Sequence, residues 1–149
     1  MSVPAPEQDP TPAGTVLAAL RAVLGAVTPP VPVHDAHVPT RPHSDQPVDS
    51  TYAVLWPSPG QRLRDALADN GSRDRLLRWQ VTSVGESRQS AVWVSERCQD
   101  ALLDNRLEVP GWAPAPVEHL SSSPVRQDDD LPGEPLFVAV DTYEMRITR

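Results

Sequence analysis

Apolar residues recur every three to four positions near the start of the chain, a spacing that predicts an amphipathic helix. We expect Thr11 to cap this helix, Pro12 to occupy its first position, and Thr28-Pro29-Pro30 to end it. Its apolar stripe consists of Val16, Leu17, Leu20, Val23, Leu24 and Val27. Residues 1–10 come before it and are polar and rich in proline, which removes backbone donors, so they are expected to form a loose arm.

The same spacing predicts a second helix from Arg88 to about Leu103, with Ser87 as its cap. The apolar stripe of this helix consists of Ala91, Val94, Cys98, Ala101 and Leu102. Trp93 falls off the stripe, next to Val92. We therefore expect Trp93 to cover a second surface, where an exposed Trp would suit a contact between subunits.

Five further segments carry the β-branched, aromatic or alternating apolar residues that are typical of strands. They are residues 31–35, 51–56, 76–84, 117–122 and 136–148. The last is the clearest, because Phe137, Ala139, Tyr143, Met145 and Ile147 share one face, which only Asp141 interrupts. At about 3.3 Å per residue this strand measures roughly 40 Å, so it is expected to extend beyond a small sheet and could reach a neighbour.

The segments between these elements carry loop and turn signals. Residues 36–49 alternate proline with His and Asp, 109–112 form a turn, and 128–130 are three consecutive Asp residues, expected in an exposed loop. The charged excursion at 61–75 contains Asn70-Gly71 and fits either a short helix or the tip of a hairpin. Both alternatives remain open.

This order of elements predicts a single α+β domain over residues 11–149. Its largely antiparallel or mixed sheet would contain about four or five strands and would be packed by two main helices. A chain of 149 residues fits one such domain with flexible extensions.

Composition narrows the classes of function. The net charge is -7 and all 13 basic residues are Arg, so the chain is expected to bind nucleic-acid phosphates poorly. An acidic surface beside passing DNA would still be compatible with function. The lone Cys98 excludes an intrachain disulfide and a Cys-based zinc site, in agreement with folding in a reducing cytoplasm. We expect neither a secretion signal nor a membrane span.

No residue pattern points to catalysis, a metal or a cofactor. His34, Asp35, His37 and His43 lie close together in sequence, but their spacing matches no specific ligand pattern, and prolines break the segment. Cys98 is expected to be a small buried side chain, and neither a GxSxG elbow nor a glycine-rich phosphate loop occurs. The three Asp residues lack the alternating spacing of a calcium loop.

Several short sequence segments, together with the order of the elements, resemble the tail terminator (tail completion) proteins of long-tailed siphophages, in particular those of actinobacterial phages. The most specific segment is Gln80–Gly85, followed by Ser87–Ala91 and a helix ending at Ala101-Leu102. The extended Val33–Asp35, the strand Tyr52–Trp56 and the polar final strand Val138–Arg146 also fit. The resemblance covers about residues 13–149, and the 61–75 excursion is longer and more charged than the family pattern.

The resemblance implies a structural, non-enzymatic subunit of a hexameric ring in the virion, at the head-proximal end of the phage tail. Such a ring binds the tail tube protein, stops tube polymerisation and contacts the head-tail connector, while DNA passes through its lumen without specific binding. The protein would be made in the host cytoplasm. The candidate subunit or partner contacts are Arg62, Arg64, Arg73, Arg75, Trp93, Asp128, Asp129, Asp130, Tyr143 and Arg146.

Three other hypotheses about the function remain open. The nearest is another neck or tail component, such as a head-closure protein or a tail tube subunit. The second is a small hydrolase that uses Asp and His residues of segment 34–45, and the third is a monomeric binding module or immunity protein.

Overall fold

The computed structural model describes residues 12–27, 29–38, 42, 51–63, 74–128 and 136–148. The elements are α1 (Pro12–Gly25), β1 (Val33–Asp35), β2 (Tyr52–Pro57), β3 (Gln61–Arg62), β4 (Arg75–Gly85), α2 (Arg88–Asp104), β5 (Ala113–Pro114), β6 (Glu118–Ser122), β7 (Arg126–Asp128) and β8 (Leu136–Thr148). Both predicted helices and all five predicted strands are confirmed. The predicted arm at 1–10, and residues 39–41 and 43–49 of the predicted loop, lie outside the described residues.

The strands described form one sheet with the order β1-β2-β4-β8-β5, in which β3 also pairs with β4, and β6 and β7 also pair with β8. β1 and β2 run parallel, whereas the other paired strands are antiparallel. The predicted α+β class with a mixed, largely antiparallel sheet is therefore confirmed. The additional strands β3, β5 and β7 are only two or three residues long.

Strand β8 lies inside the sheet along its whole length. On one side it pairs with β4, from Phe137 opposite Gly85 to Ile147 opposite Arg75. On its other side β7, β6 and β5 pair with it in turn. The expectation that this strand extends beyond the sheet to reach a neighbour is wrong, because strands of the same chain line both of its edges.

The two helices pack on one face of the sheet, and α2 contacts β4 and β8 most closely. Alternate residues of β4 and β8 point to this face because side chains alternate along a strand. The buried apolar side chains there include Leu20, Leu24, Val94, Leu102, Leu77, Trp79, Val81, Tyr143, Met145 and Ile147. Burying each large apolar side chain stabilises the fold by roughly 1.5–3 kcal/mol, so this face anchors both helices.

The predicted turn between β4 and α2 brings the two elements into close contact at Gly85. A Cβ at Gly85 would lie 2.5 Å from the backbone nitrogen of Ala91 and from Cβ of Ser90. Ser87 has an extended backbone, and its side-chain Oγ accepts a hydrogen bond of 3.1 Å from the Ser90 amide. Ser87 is therefore the N-cap of α2, as predicted.

The charged excursion at 61–75 begins and ends as a hairpin. Gln61 pairs with Leu76, and Arg62 with Arg75, in antiparallel register. At the two ends of the segment, the structure therefore agrees with the hairpin alternative. Residues 64–73, between these ends, lie outside the described residues.

The second face of the sheet carries no helix among the residues described. A small apolar cluster lies at one end of this face, where Val38 packs on Tyr52, Val54, Val84, Leu136 and Val138. Further along, Trp56 is 44% exposed, and its indole nitrogen donates a 3.0 Å hydrogen bond to Oγ1 of Thr82. Arg78 and Glu144 form an ion pair on the same stretch, with Nε and Oε2 2.6 Å apart.

Candidate functional site

Among the residues described, Asp141 is the acidic residue that is fully buried, and it lies in the middle of β8. The hydroxyl of Ser95 donates to its Oδ2 at 2.6 Å, and the amide of Gln99 donates to Oδ1 at 3.2 Å. Nε2 of His119 lies 3.0 Å from Oδ1, and the hydroxyl of Ser122 donates to the same oxygen. We call these five residues the Asp141 clamp. Because four donors surround the carboxyl group, its burial is compensated.

Three elements supply the clamp, and each does so through a local feature of the sequence. Ser95 and Gln99 lie four residues apart on α2 and therefore share one helix face. His119 and Ser122 lie three apart on β6, a spacing that in a regular strand would put them on opposite faces. A bulge between His119 and Ser121 corrects this, so that His119 pairs with Tyr143 and Ser122 with Asp141.

The serine, histidine and aspartate of the clamp are not arranged as a catalytic triad. In a triad, one ring nitrogen of the histidine contacts the carboxylate and the other contacts the serine. Here Oγ of Ser122 and Oδ1 of Asp141 both lie 3.0 Å from the same nitrogen, Nε2 of His119. The arrangement therefore differs from a triad, in which the serine contacts the ring nitrogen that does not face the carboxylate.

Two further ionisable side chains lie beside the clamp. Burial raises the pKa of the Cys98 thiol to about 12, and the nearby Asp141 adds to the shift. The pKa of Tyr143 is also raised above its usual range, first by burial and then by Asp141, Cys98 and Asp100. The ring of Tyr143 stacks on Trp79 with centroids 5.9 Å apart and tilts against His119 at 5.1 Å. Cys98 is therefore a buried, unreactive side chain, in agreement with the expectation.

The histidine-rich segment does not assemble a metal centre within the described part of the chain. Across those residues, no group of three or more His, Cys, Asp and Glu side chains could hold a metal ion. His34 lies in β1 with its ring 5.7 Å from that of Tyr52, in an edge-on arrangement. His43 lies outside the described residues.

The structure separates the predicted contact residues into three groups. Exposed or half-buried side chains are found at Arg75, Trp93, Asp128 and Arg146. The side chain of Arg62 is not described, and Arg64, Arg73, Asp129 and Asp130 lie outside the described residues. Tyr143 is fully buried. Its prediction as a contact residue is wrong for this fold, because its side chain faces the core.

Three of the accessible candidates already have partners within the chain. The guanidinium of Arg97 lies 5.5 Å from the centre of the Trp93 ring, which packs against the core. Arg146 donates to Asp74 through Nε at 3.1 Å and also through a terminal nitrogen. Asp128 pairs with Leu136 as the last residue of β7, so the predicted exposed loop at 128–130 begins as a strand.

Two surfaces were missed by the sequence analysis. The first is the exposed indole of Trp56 on the sheet face opposite the two helices, whose outward direction depends on the register of β2 with β4. The second is an open groove of about 820 Å³ between α1 and the C-terminal half of α2. Ala18 and Ala22 line one wall of this groove, while Arg97 and Asp104 line the other. Neither surface depends on a short motif, so no local signal could have revealed it.

Comparison with solved structures finds similar folds over nearly the whole chain. A chain in the virion of a native gene transfer agent particle matches with a TM-score of 0.58 and 16% identity, over 89% of this chain and 86% of that chain. A second solved chain, which carries no functional name, matches with a TM-score of 0.51 and 18% identity, over 91% of this chain and 94% of that one. At these identities the similarity establishes the fold alone.

Sequence comparison adds no assignment, since no protein-family model matches the chain and no curated protein sequence matches it. None of the helices described has the length and apolar character needed to cross a membrane.

Proposed function

We propose that this chain is a structural protein of a virion. The observation that carries the proposal is the fold similarity to a chain of the gene transfer agent virion, which extends over 89% of this chain. The geometry of the Asp141 clamp agrees with a structural role, because Ser122 and Asp141 compete for one nitrogen of His119. A hydrolase with a Ser-His-Asp triad would need those contacts on different nitrogens.

Within the virion, we propose that the chain is a tail terminator. It would assemble as a hexameric ring on the head-proximal end of the tail tube, stop tube polymerisation and contact the head-side connector. The support is the sequence resemblance centred on the strand β4, the turn at Gly85 and the helix α2. In the fold, β4, the turn at Gly85 and α2 form one continuous unit, because the close contact at Gly85 and the Ser87 cap hold the strand against the helix.

The accessible side chains supply candidate contact surfaces for such a ring. Trp56 presents a half-exposed aromatic side chain on the sheet face opposite the two helices, and aromatic side chains are enriched at interfaces. We retain Arg75, Trp93, Asp128 and Arg146 as proposed contacts and add Trp56. The net charge of -7 would let DNA pass the ring without tight binding.

The proposal is tested by mixing the purified chain with tail tubes that lack a terminator, taken from the virus that encodes the chain. Negative-stain electron microscopy should then show rings seated at one end of the tubes, and added tube subunits should no longer extend that end. If the tubes keep growing at both ends and bear no added density, the terminator role is rejected. Binding of the chain all along a tube would instead indicate a tube subunit.

A further inference from the structure

The edge strand β6 is attached to the domain with little apolar burial. None of its five side chains is buried, and Leu120 at its centre is 44% exposed. The most enclosed described part of the strand is the His119 side chain, which is still 24% exposed. The neighbouring strands β4 and β8, in contrast, each place several fully buried side chains in the core. Hydrophobic burial therefore anchors the chain at Val117, directly before β6, but not the side chains of β6 itself.

Backbone pairing also holds β6 only partly. The bulge between His119 and Ser121 interrupts its ladder with β8, and bulges leave a residue unpaired. Glu118 stands directly opposite Glu144, whose carboxylate is already paired with Arg78, so this position adds no attraction between the two strands. The pairing is therefore short and interrupted.

Between the buried Val117 and Ser123, which bonds to Val140 of β8, the Asp141 clamp attaches the side chains of β6 itself. His119 and Ser122, near the two ends of β6, both reach Oδ1 of the buried carboxyl group, and Ser122 also contacts the His119 ring. The same carboxyl group accepts from Ser95 and Gln99 of α2. Removing one partner from a buried polar group leaves it incompletely hydrogen-bonded, which is costly. One carboxyl group therefore ties the edge strand to the helix and to the central strand.

We propose that β6 is a detachable edge strap whose closed position is set by the Asp141 clamp. The strap opens as a unit while the helices and the strands β2, β4 and β8 stay folded. Opening uncovers the edge of β8 at residues 141–144, where β6 pairs in the closed position. His119 and Ser122 are positioning residues in this device. The proposal does not depend on the role of the chain in a virion.

Hydrogen exchange of the full chain, followed by mass spectrometry, tests the strap with two neighbouring serines. Ser122→Ala removes one donor of the clamp, whereas Ser121→Ala removes an exposed hydroxyl of the same strand that takes no part in the clamp. We expect exchange at residues 118–122 to accelerate about tenfold or more in the first variant only. Exchange in β4 and α2 should remain at the wild-type rate in both variants.

Two results would overturn the proposal. In the first, residues 118–122 exchange at the same rate in Ser122→Ala as in Ser121→Ala, which would show that the clamp does not hold the strap. In the second, exchange in β4 accelerates together with exchange in 118–122, which would show that the domain opens globally. His119→Ala supplies an independent second variant, with the same pattern expected.

Discussion

Replacing Gly85 by alanine tests the close contact between β4 and α2. A Cβ at this position would meet the Ala91 nitrogen at 2.5 Å, the Ser90 Cβ at 2.5 Å and the Ser90 carbonyl carbon at 2.8 Å. Two of these atoms belong to the helix backbone, so rotation of a side chain cannot relieve the clash. The closest approaches fall about 0.9 Å short of ordinary contact at 3.4 Å, so the first turn of α2 must move away from the sheet.

We expect Gly85→Ala to lower the free energy of unfolding by about 1–3 kcal/mol, the usual cost of overpacking a tight site. Gly25→Ala is the matched control, because nothing lies within 4 Å of a Cβ placed at Gly25. As Gly25 is the last residue of α1, the control should be neutral or stabilising, by up to roughly 1 kcal/mol. Equilibrium unfolding in urea measures both. If Gly85→Ala is as stable as Gly25→Ala, the steric account of the turn is refuted.

Three further perturbations probe the cap, the buried thiol and the exposed indole. Ser87→Ala should cost about 1 kcal/mol in urea unfolding, because the Ser90 amide loses its acceptor; an unchanged midpoint would contradict the cap. Burial raises the pKa of Cys98 to about 12 in the folded state, against 9.0 when the thiol is exposed by unfolding. The unfolded state therefore ionises first, and the contribution of Cys98 to stability is lost as pH rises from 9 toward 12. Urea unfolding across that range should therefore show a steeper decline in the wild type than in Cys98→Ala, and parallel profiles would reject this link. Trp56→Ala should lower the urea midpoint modestly, because the side chain is only 44% exposed and donates a hydrogen bond to Thr82, and it should weaken the proposed ring assembly on tube ends. Val92→Ala, 40% exposed on α2, is the control, and equal assembly by both variants would exclude Trp56 as a contact.

The long periodic segments were predictable from sequence because each carries its own signal. The stripe of Val94, Cys98 and Leu102 defines α2, and the alternation of Leu77, Trp79 and Val81 defines β4. The short strands could not be found in this way. Ala113–Pro114, which forms β5, has two residues, one of them a proline, and exists as a strand only because β8 lies beside it.

The Asp141 clamp was beyond local sequence patterns. The sequence showed Asp141 only as an interruption of an apolar face, yet its partners Ser95 and His119 lie 46 and 22 residues away along the chain. Their meeting depends on the packing of α2 and on a bulge in β6. The burial of Tyr143, in contrast, could be predicted from the sequence, because Tyr143 shares one strand face with the apolar Met145 and Ile147.

The most direct test of the proposed terminator is the length of the tails made without this chain. A nonsense codon would be placed in its gene in the genome that carries it, and the particles released would be examined by electron microscopy, with wild-type protein supplied in trans as the control. We predict irregular, overlong tails that are not joined to heads, and tails of uniform length after complementation. Normal tails beside filled heads that leak DNA would contradict the terminator role and indicate a head-closure protein, while a lysate with no tails at all would indicate a tube subunit.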